Sequence, residues 1–175
     1  MARRRSQPPP IDPYAILKAL EHEQVAYILV GAFARVLVGA DEITLGVDLT
    51  PSTHGDNLER VDRAMEAINA RRPDGSAPNL HGTDYTREPV IELRTEHGQV
   101  KIIPEPAGTR GYDDLRRDAE RLPIGQGLRP SVASPRDLAR MLAALNRAED
   151  IHKLLDLRRL IELEHQLHRG LSIER

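Results

Sequence analysis

Apolar and polar positions along this chain alternate in two periods, and each period marks a different element. Ile16, Leu17 and Leu20 recur at helical spacing behind Asp12 and Pro13. An N-cap residue followed by proline at the first helical position predicts a helix that starts at Pro13. Residues 26–30 (AYILV) are a short apolar run ending at Gly31, which predicts a buried strand. Ala32 to Val38 predicts a short helix closed by Gly39, and Ile43 to Leu49 alternates like a strand and ends at Pro51. Leu58, Val61, Met65 and Ile68 then predict an amphipathic helix over 57–70. The stretch 71–82, punctuated by prolines and glycines, is a loop.

Val90–Leu93 and Val100–Ile103 are two apolar runs around Glu96-His97-Gly98, a hairpin pattern. Gly111 to Ala119 predicts a short helix, and 121–133 a strand or ribbon rich in glycine and proline. The clearest start signal is Ser134-Pro135 with Asp137 at the third helical position; that helix carries Leu138, Met141, Leu142 and Leu145. A last helix runs from about Asp150 to His168 and stops before Gly170, with Leu154, Leu155, Leu157, Leu160 and Ile161 in the core. The pattern adds up to an α+β fold, a small mixed β-sheet flanked by helices with a C-terminal helical part. Residues 1–11 read as a disordered basic, proline-rich tail, 12–133 as the α/β core, and 134–175 as helices packed on it.

Composition narrows the function classes. A chain of 175 residues suits one domain, and 3% aromatics leave the core to Leu, Ile, Val and Ala. A net charge of -2 lacks the basic excess of a nucleic-acid binder, although Arg3, Arg4 and Arg5 form a basic arm before Pro8–Pro10. With no cysteine, disulfides and zinc–thiolate sites are excluded. No apolar run has the length of a membrane span and none resembles a signal segment, so the expected location is cytoplasmic, with no membrane partner. No Walker loop, G-x-G-x-x-G or G-x-S-x-G elbow is present. His165 and His168, three apart, read as exposed helix histidines, and Arg158 and Arg159 as part of a solvated face.

The segment with the most specific chemistry is strand, Gly31-Ala32, short helix, then Thr44-Leu45-Gly46-Val47-Asp48-Leu49. Small residues before a helix let a phosphate chain approach free backbone N–H groups. Aspartates two apart on the second strand point to one face and can hold Mg²⁺. This arrangement resembles the nucleotidyltransferase superfamily, and within it abortive-infection toxins of the AbiEii type, over about residues 14–160. The matching text is Tyr27-Ile28-Leu29-Val30-Gly31-Ala32, Thr44, Gly98-Gln99-Val100-Lys101-Ile102-Ile103, Gly111-Tyr112-Asp113-Asp114-Leu115 and Arg147-Ala148-Glu149-Asp150. The resemblance implies nucleotide contacts at Gly31, Ala32, Thr44, Asp48 and Arg147, with Asp48 as the residual catalytic carboxylate. It also implies an Mg²⁺ or Mn²⁺ cofactor with a nucleoside triphosphate wherever a site survives, and an antitoxin or other protein as partner. Nucleic acid stays open as an acceptor.

Four positions depart from that pattern. The first aspartate of the pair falls on Gly46, the third aspartate on Lys101, and two phosphate-end lysines on Leu142 and Glu149. Glu92, on the strand paired with the Lys101 strand, is the nearest substitute, so Asp48 and Glu92 form the candidate metal pair; Asp41 and Glu42 are also near in sequence. Glu92 reads alternatively as an edge-strand charge or as the partner of Lys101, while an ion pair between Lys101 and Asp48 would fill the former metal site, and Gly46→Asp with Lys101→Asp would then restore it. Three functions follow: a nucleotidyltransferase-fold pseudoenzyme that binds a nucleotide or partner, an active enzyme moving a nucleoside monophosphate to RNA, protein or a small molecule, and a structural protein without ligand.

Overall fold

The computed structural model describes residues 10–173. The tail expected over 1–11 lies outside the described residues except for Pro10 and Ile11. Ile11 packs against the core, and the Asp12 N–H donates to the His97 carbonyl at 2.8 Å. The elements in order are α1 (Pro13–His22), β1 (Tyr27–Val30), α2 (Gly31–Leu37), β2 (Gly46–Pro51), α3 (Asn57–Ala67), β3 (Ile91–Thr95), β4 (Gly98–Ile102), α4 (Tyr112–Leu115), β5 (Glu120–Arg121), β6 (Ser131–Val132), α5 (Pro135–Leu145) and α6 (Ile151–Ile173). A 3₁₀ turn, Ala148–Asp150, precedes α6.

The strands form one six-stranded mixed sheet in the order β3-β4-β2-β1-β6-β5. β2 runs antiparallel to β1 and parallel to β4, and β3–β4 is the hairpin expected from sequence. Val47 and Leu49, both fully buried, point to one face of β2, so Asp48 and Thr50 point to the other. Helices α1 and α3 pack together and on β2, while α2 packs on β1, β2 and α5, and α5 on α6. Both predicted caps form: Asp12 accepts from Ala15 N, and Ser134 from Asp137 N. Leu157 is completely buried and anchors α6, a contribution of roughly 1.5–3 kcal/mol for a leucine side chain.

Several boundaries differ from expectation, each for a physical reason. β2 begins at Gly46 rather than Ile43 because the Thr44 hydroxyl donates to the Gly46 carbonyl at 2.7 Å and turns the chain out of the sheet. Ile43 is consequently 92% exposed and Leu45 58% exposed. α3 stops at Ala67, since Asn69 adopts a left-handed conformation. α4 covers only Tyr112–Leu115 of the stretch 111–119. α6 does not end before Gly170 but continues to Ile173. Gly170 is exposed, and an exposed glycine costs only about 1 kcal/mol in a helix, too little to stop it. Leu155, assigned to the core by spacing, faces solvent.

Candidate functional site

Asp48 sits at the centre of β2, and strand register decides its neighbours. Val30 of β1 lies opposite on one side and Lys101 of β4 on the other, with Glu92 of β3 opposite Lys101. Residues in register on adjacent strands share a face. Asp48, Lys101 and Glu92 therefore form a row across three strands. The Lys101 ammonium stands 3.8 Å from the Glu92 carboxylate, and both are partly open to solvent. No ion pair forms between Lys101 and Asp48; of the two pairings left open by the sequence, the one with Glu92 forms. Burial pushes the Asp48 carboxyl above the usual carboxylate range, partly offset by the charges of Lys101 and Arg35.

Two glycines frame the row. Gly31 has φ +70°, and a Cβ there would lie 2.3 Å from Asp48 Oδ2. The carboxylate thus rests against the first residue of α2, where only glycine leaves room. At Gly46, a Cβ would lie 2.2 Å from the carbonyl oxygen of Gln99 on β4. A side chain at this position would run into the neighbouring backbone.

Sequence reasoning missed one buried charge near this row, Arg35. Arg35 on α2 is 8% exposed and donates to Glu42 through Nε at 2.6 Å and Nη2 at 3.0 Å. Lys153 links Glu42 (3.9 Å) to Asp150 (3.1 Å), and Arg147 also pairs with Asp150 at 2.6 Å. Burial would raise the Asp150 pKa, but hydrogen bonds from Lys153 and Arg147 outweigh it and hold the carboxyl below its usual range. The available signal was a lone arginine inside the apolar run Phe33-Ala34-Arg35-Val36-Leu37-Val38, since buried charges are nearly always paired.

The remaining sequence candidates scatter. Ala32 is half-buried beside Gly31. The Thr44 hydroxyl is engaged with Gly46, and the Arg147 guanidinium with Asp150. Leu142 is buried in α5, while Glu149 is exposed. Asp41 is exposed, and Glu42 is taken by Arg35. His165 contacts Arg136, and His168 contacts the Glu164 carbonyl.

The row does not fit a pair of divalent cations. Mg²⁺ needs converging hard oxygen ligands. Here the two carboxylates flank an ammonium, and among the described residues no group of three or more His, Cys, Asp or Glu could hold a metal ion.

No protein-family model and no curated protein sequence matches the chain. Solved structures do match. The lincosamide antibiotic adenylyltransferase LnuA, bound to lincomycin, aligns at TM-score 0.59 and 16% identity over 86% of this chain and 99% of its own. The antibiotic-resistance factor ANT(2'')-Ia in solution aligns at TM-score 0.55 and 12% identity over 93% of this chain and 91% of its own. Its crystal structure with adenylyl-2''-tobramycin gives TM-score 0.54 and 12% identity over 85% and 84%. The chain has the nucleotidyltransferase fold. Within that fold, the segment singled out by sequence forms β1, α2 and β2 in unbroken order, with Gly31 and Asp48 in contact distance. Among the described residues, no helix is long and apolar enough to cross a membrane.

Proposed function

We propose that this protein is an AbiEii-type member of the nucleotidyltransferase superfamily that has lost two-metal catalysis and serves as a nucleotide- or partner-binding module. The observation that carries this reading is the row itself. Lys101 lies in register between Asp48 and Glu92 and pairs with Glu92, while the Gln99 carbonyl leaves no space for a side chain at Gly46. Phosphoryl transfer by this fold rests on metal-held charge, and here the Lys101 ammonium offsets the Glu92 carboxylate instead. Gly31 and Ala32 keep the small-residue approach beside Asp48. Thr44 and Arg147 would have to exchange their contacts to Gly46 and Asp150 to meet a nucleotide. The setting in a toxin–antitoxin or phage-defence cassette, with an antitoxin as partner and the cytoplasm as location, rests on the family resemblance.

A second reading, transfer of a nucleoside monophosphate to RNA, protein or a small molecule, draws on the adenylyltransferases whose fold this chain shares. It needs a metal held by Asp48 and Glu92 with Lys101 displaced. Thermal-shift series with ATP, GTP, CTP and UTP, each with and without Mg²⁺ or Mn²⁺, separate the two, run beside a pyrophosphate-release assay. The proposed reading expects no metal-dependent shift and no pyrophosphate. A metal-dependent shift with one nucleotide, accompanied by pyrophosphate, overturns it.

A further inference from the structure

A cleft of about 450 Å³ opens where three loops meet, and neither Asp48, Lys101 nor Glu92 lines it. The loops are those after β2, before β3, and between β4 and α4. The volume is in the range of small-molecule sites. Its lining includes two aromatic residues, Tyr85 and Tyr112, and the prolines Pro89 and Pro104.

The walls are fixed by internal bonds. The Tyr85 hydroxyl donates to the Leu80 carbonyl at 2.9 Å. In the β4–α4 loop, the buried Thr109 hydroxyl donates to Pro106 O at 2.8 Å and accepts from Gly111 N at 3.2 Å. Gly111, at φ +77°, lets the chain pass the Pro104 carbonyl, which a Cβ would approach to 2.6 Å. Asp114 accepts from Arg110 N at 3.0 Å and from the Arg140 guanidinium at 3.1 Å. The Gly111-Tyr112-Asp113-Asp114-Leu115 motif, which the Asp48 row does not use, thus holds one wall in place.

Charge then defines what would fit. His54 Nε2 and Asp113 Oδ2, 2.8 Å apart, tie two of the loops together. That leaves Arg110 and Glu105 lining the cleft; neither side chain has a hydrogen bond or ion pair among the described residues, and the Arg110 charge acts only through space on the Asp114 carboxylate. One cation and one anion held in no salt bridge on the same braced loop, beside two tyrosines, complement a ligand that carries both charges and a ring.

We propose that this cleft binds a small aromatic zwitterion of amino-acid to dipeptide size, its carboxylate on Arg110, its ammonium on Glu105 and its ring against Tyr85 and Tyr112. This site stands independently of the fate of the Asp48 row.

The test is amide chemical-shift titration of the full chain with L-tryptophan, L-tyrosine and a tyrosyl-proline dipeptide, beside their N-acetyl and carboxamide derivatives. Saturable shifts at Thr53, Thr86, Gly111 and Tyr112 are expected with the free zwitterions. Blocking either charge weakens binding about tenfold, the scale of one lost charge-assisted hydrogen bond. Arg110→Gln removes the preference for the free carboxylate only, and Glu105→Gln the preference for the free amine only. Both positions are exposed, and unchanged melting temperatures verify that the variants fold. No saturable shift with any of these probes, or equal binding of the blocked derivatives, overturns the proposal.

Discussion

A Cβ on Gly46 would stand 2.2 Å from the carbonyl oxygen of Gln99, so β2 and β4 approach each other at a point where only glycine fits. Forcing a methyl into a packed contact costs roughly 1–3 kcal/mol. Gly46→Ala is therefore expected to lower the urea midpoint at unchanged slope. The same geometry revises the route to a restored metal site. Gly46→Asp combined with Lys101→Asp is expected to disturb the strand pair. Lys101→Asp alone places a third carboxylate in register between Asp48 and Glu92. Calorimetric titration with MnCl₂ checks this: the single variant gains binding that the natural chain lacks. A silent Lys101→Asp, in a protein that still melts cooperatively, would remove the basis of the claim.

Gly31 and Asp48 form a second steric pair. Gly31→Ala meets two costs, the left-handed backbone at φ +70° and the Asp48 carboxylate. The backbone part alone is about 1–3 kcal/mol. In an Asp48→Ala background only that part remains, so the double-mutant cycle should show positive coupling in urea unfolding. Purely additive costs would mean that the carboxylate moves aside freely.

Burial holds the Asp48 carboxyl above its usual range, which means its charged form is disfavoured in the folded state. Asp48→Asn is expected to raise the urea midpoint at neutral pH. A lower midpoint would show that the charge is held by partners rather than penalised.

Arg35 and Glu42 are both nearly inaccessible, with side chains 10% and 11% exposed. Breaking one side of a buried pair leaves a charge without compensation, at about 3–5 kcal/mol. Glu42→Ala should therefore unfold far earlier in urea than Arg35→Met with Glu42→Leu, which removes both charges. Equal losses would assign the effect to packing alone.

Histidine 81 supplies a pH dependence. Its ring bonds Asp62 at 2.6 Å, and that hydrogen bond raises its pKa above the ordinary 6.5, with burial opposing. The added stability is fully present below the unfolded value and is lost as pH rises through the higher folded value. The difference in urea midpoint between the natural chain and His81→Gln should be larger at pH 5.5 than at pH 8.5. A difference independent of pH would show that only the neutral hydrogen bond matters.

Local signals carried the element order. Caps and apolar periods act over a few residues, so Asp12-Pro13, Ser134-Pro135 and the run 26–30 could be read directly and led to the mixed sheet with helices. Where a long-range or side-chain contact intervened, the reading slipped. Thr44 pulled Ile43 and Leu45 out of β2, and packing left Leu155 outside the core. The chemistry at the candidate site was legible only as residue types. Gly46 and Lys101 were visible as departures, but a motif counts positions and contains no register. The register of β2, β4 and β3 put Lys101 between Asp48 and Glu92, and the approach of β4 closed Gly46. Pairing between segments far apart in the chain also joined Lys153 to Glu42, and packing gathered Tyr85, Glu105, Arg110 and Tyr112 around one cleft. Such meetings depend on how the whole chain packs, because no short stretch of sequence holds both partners.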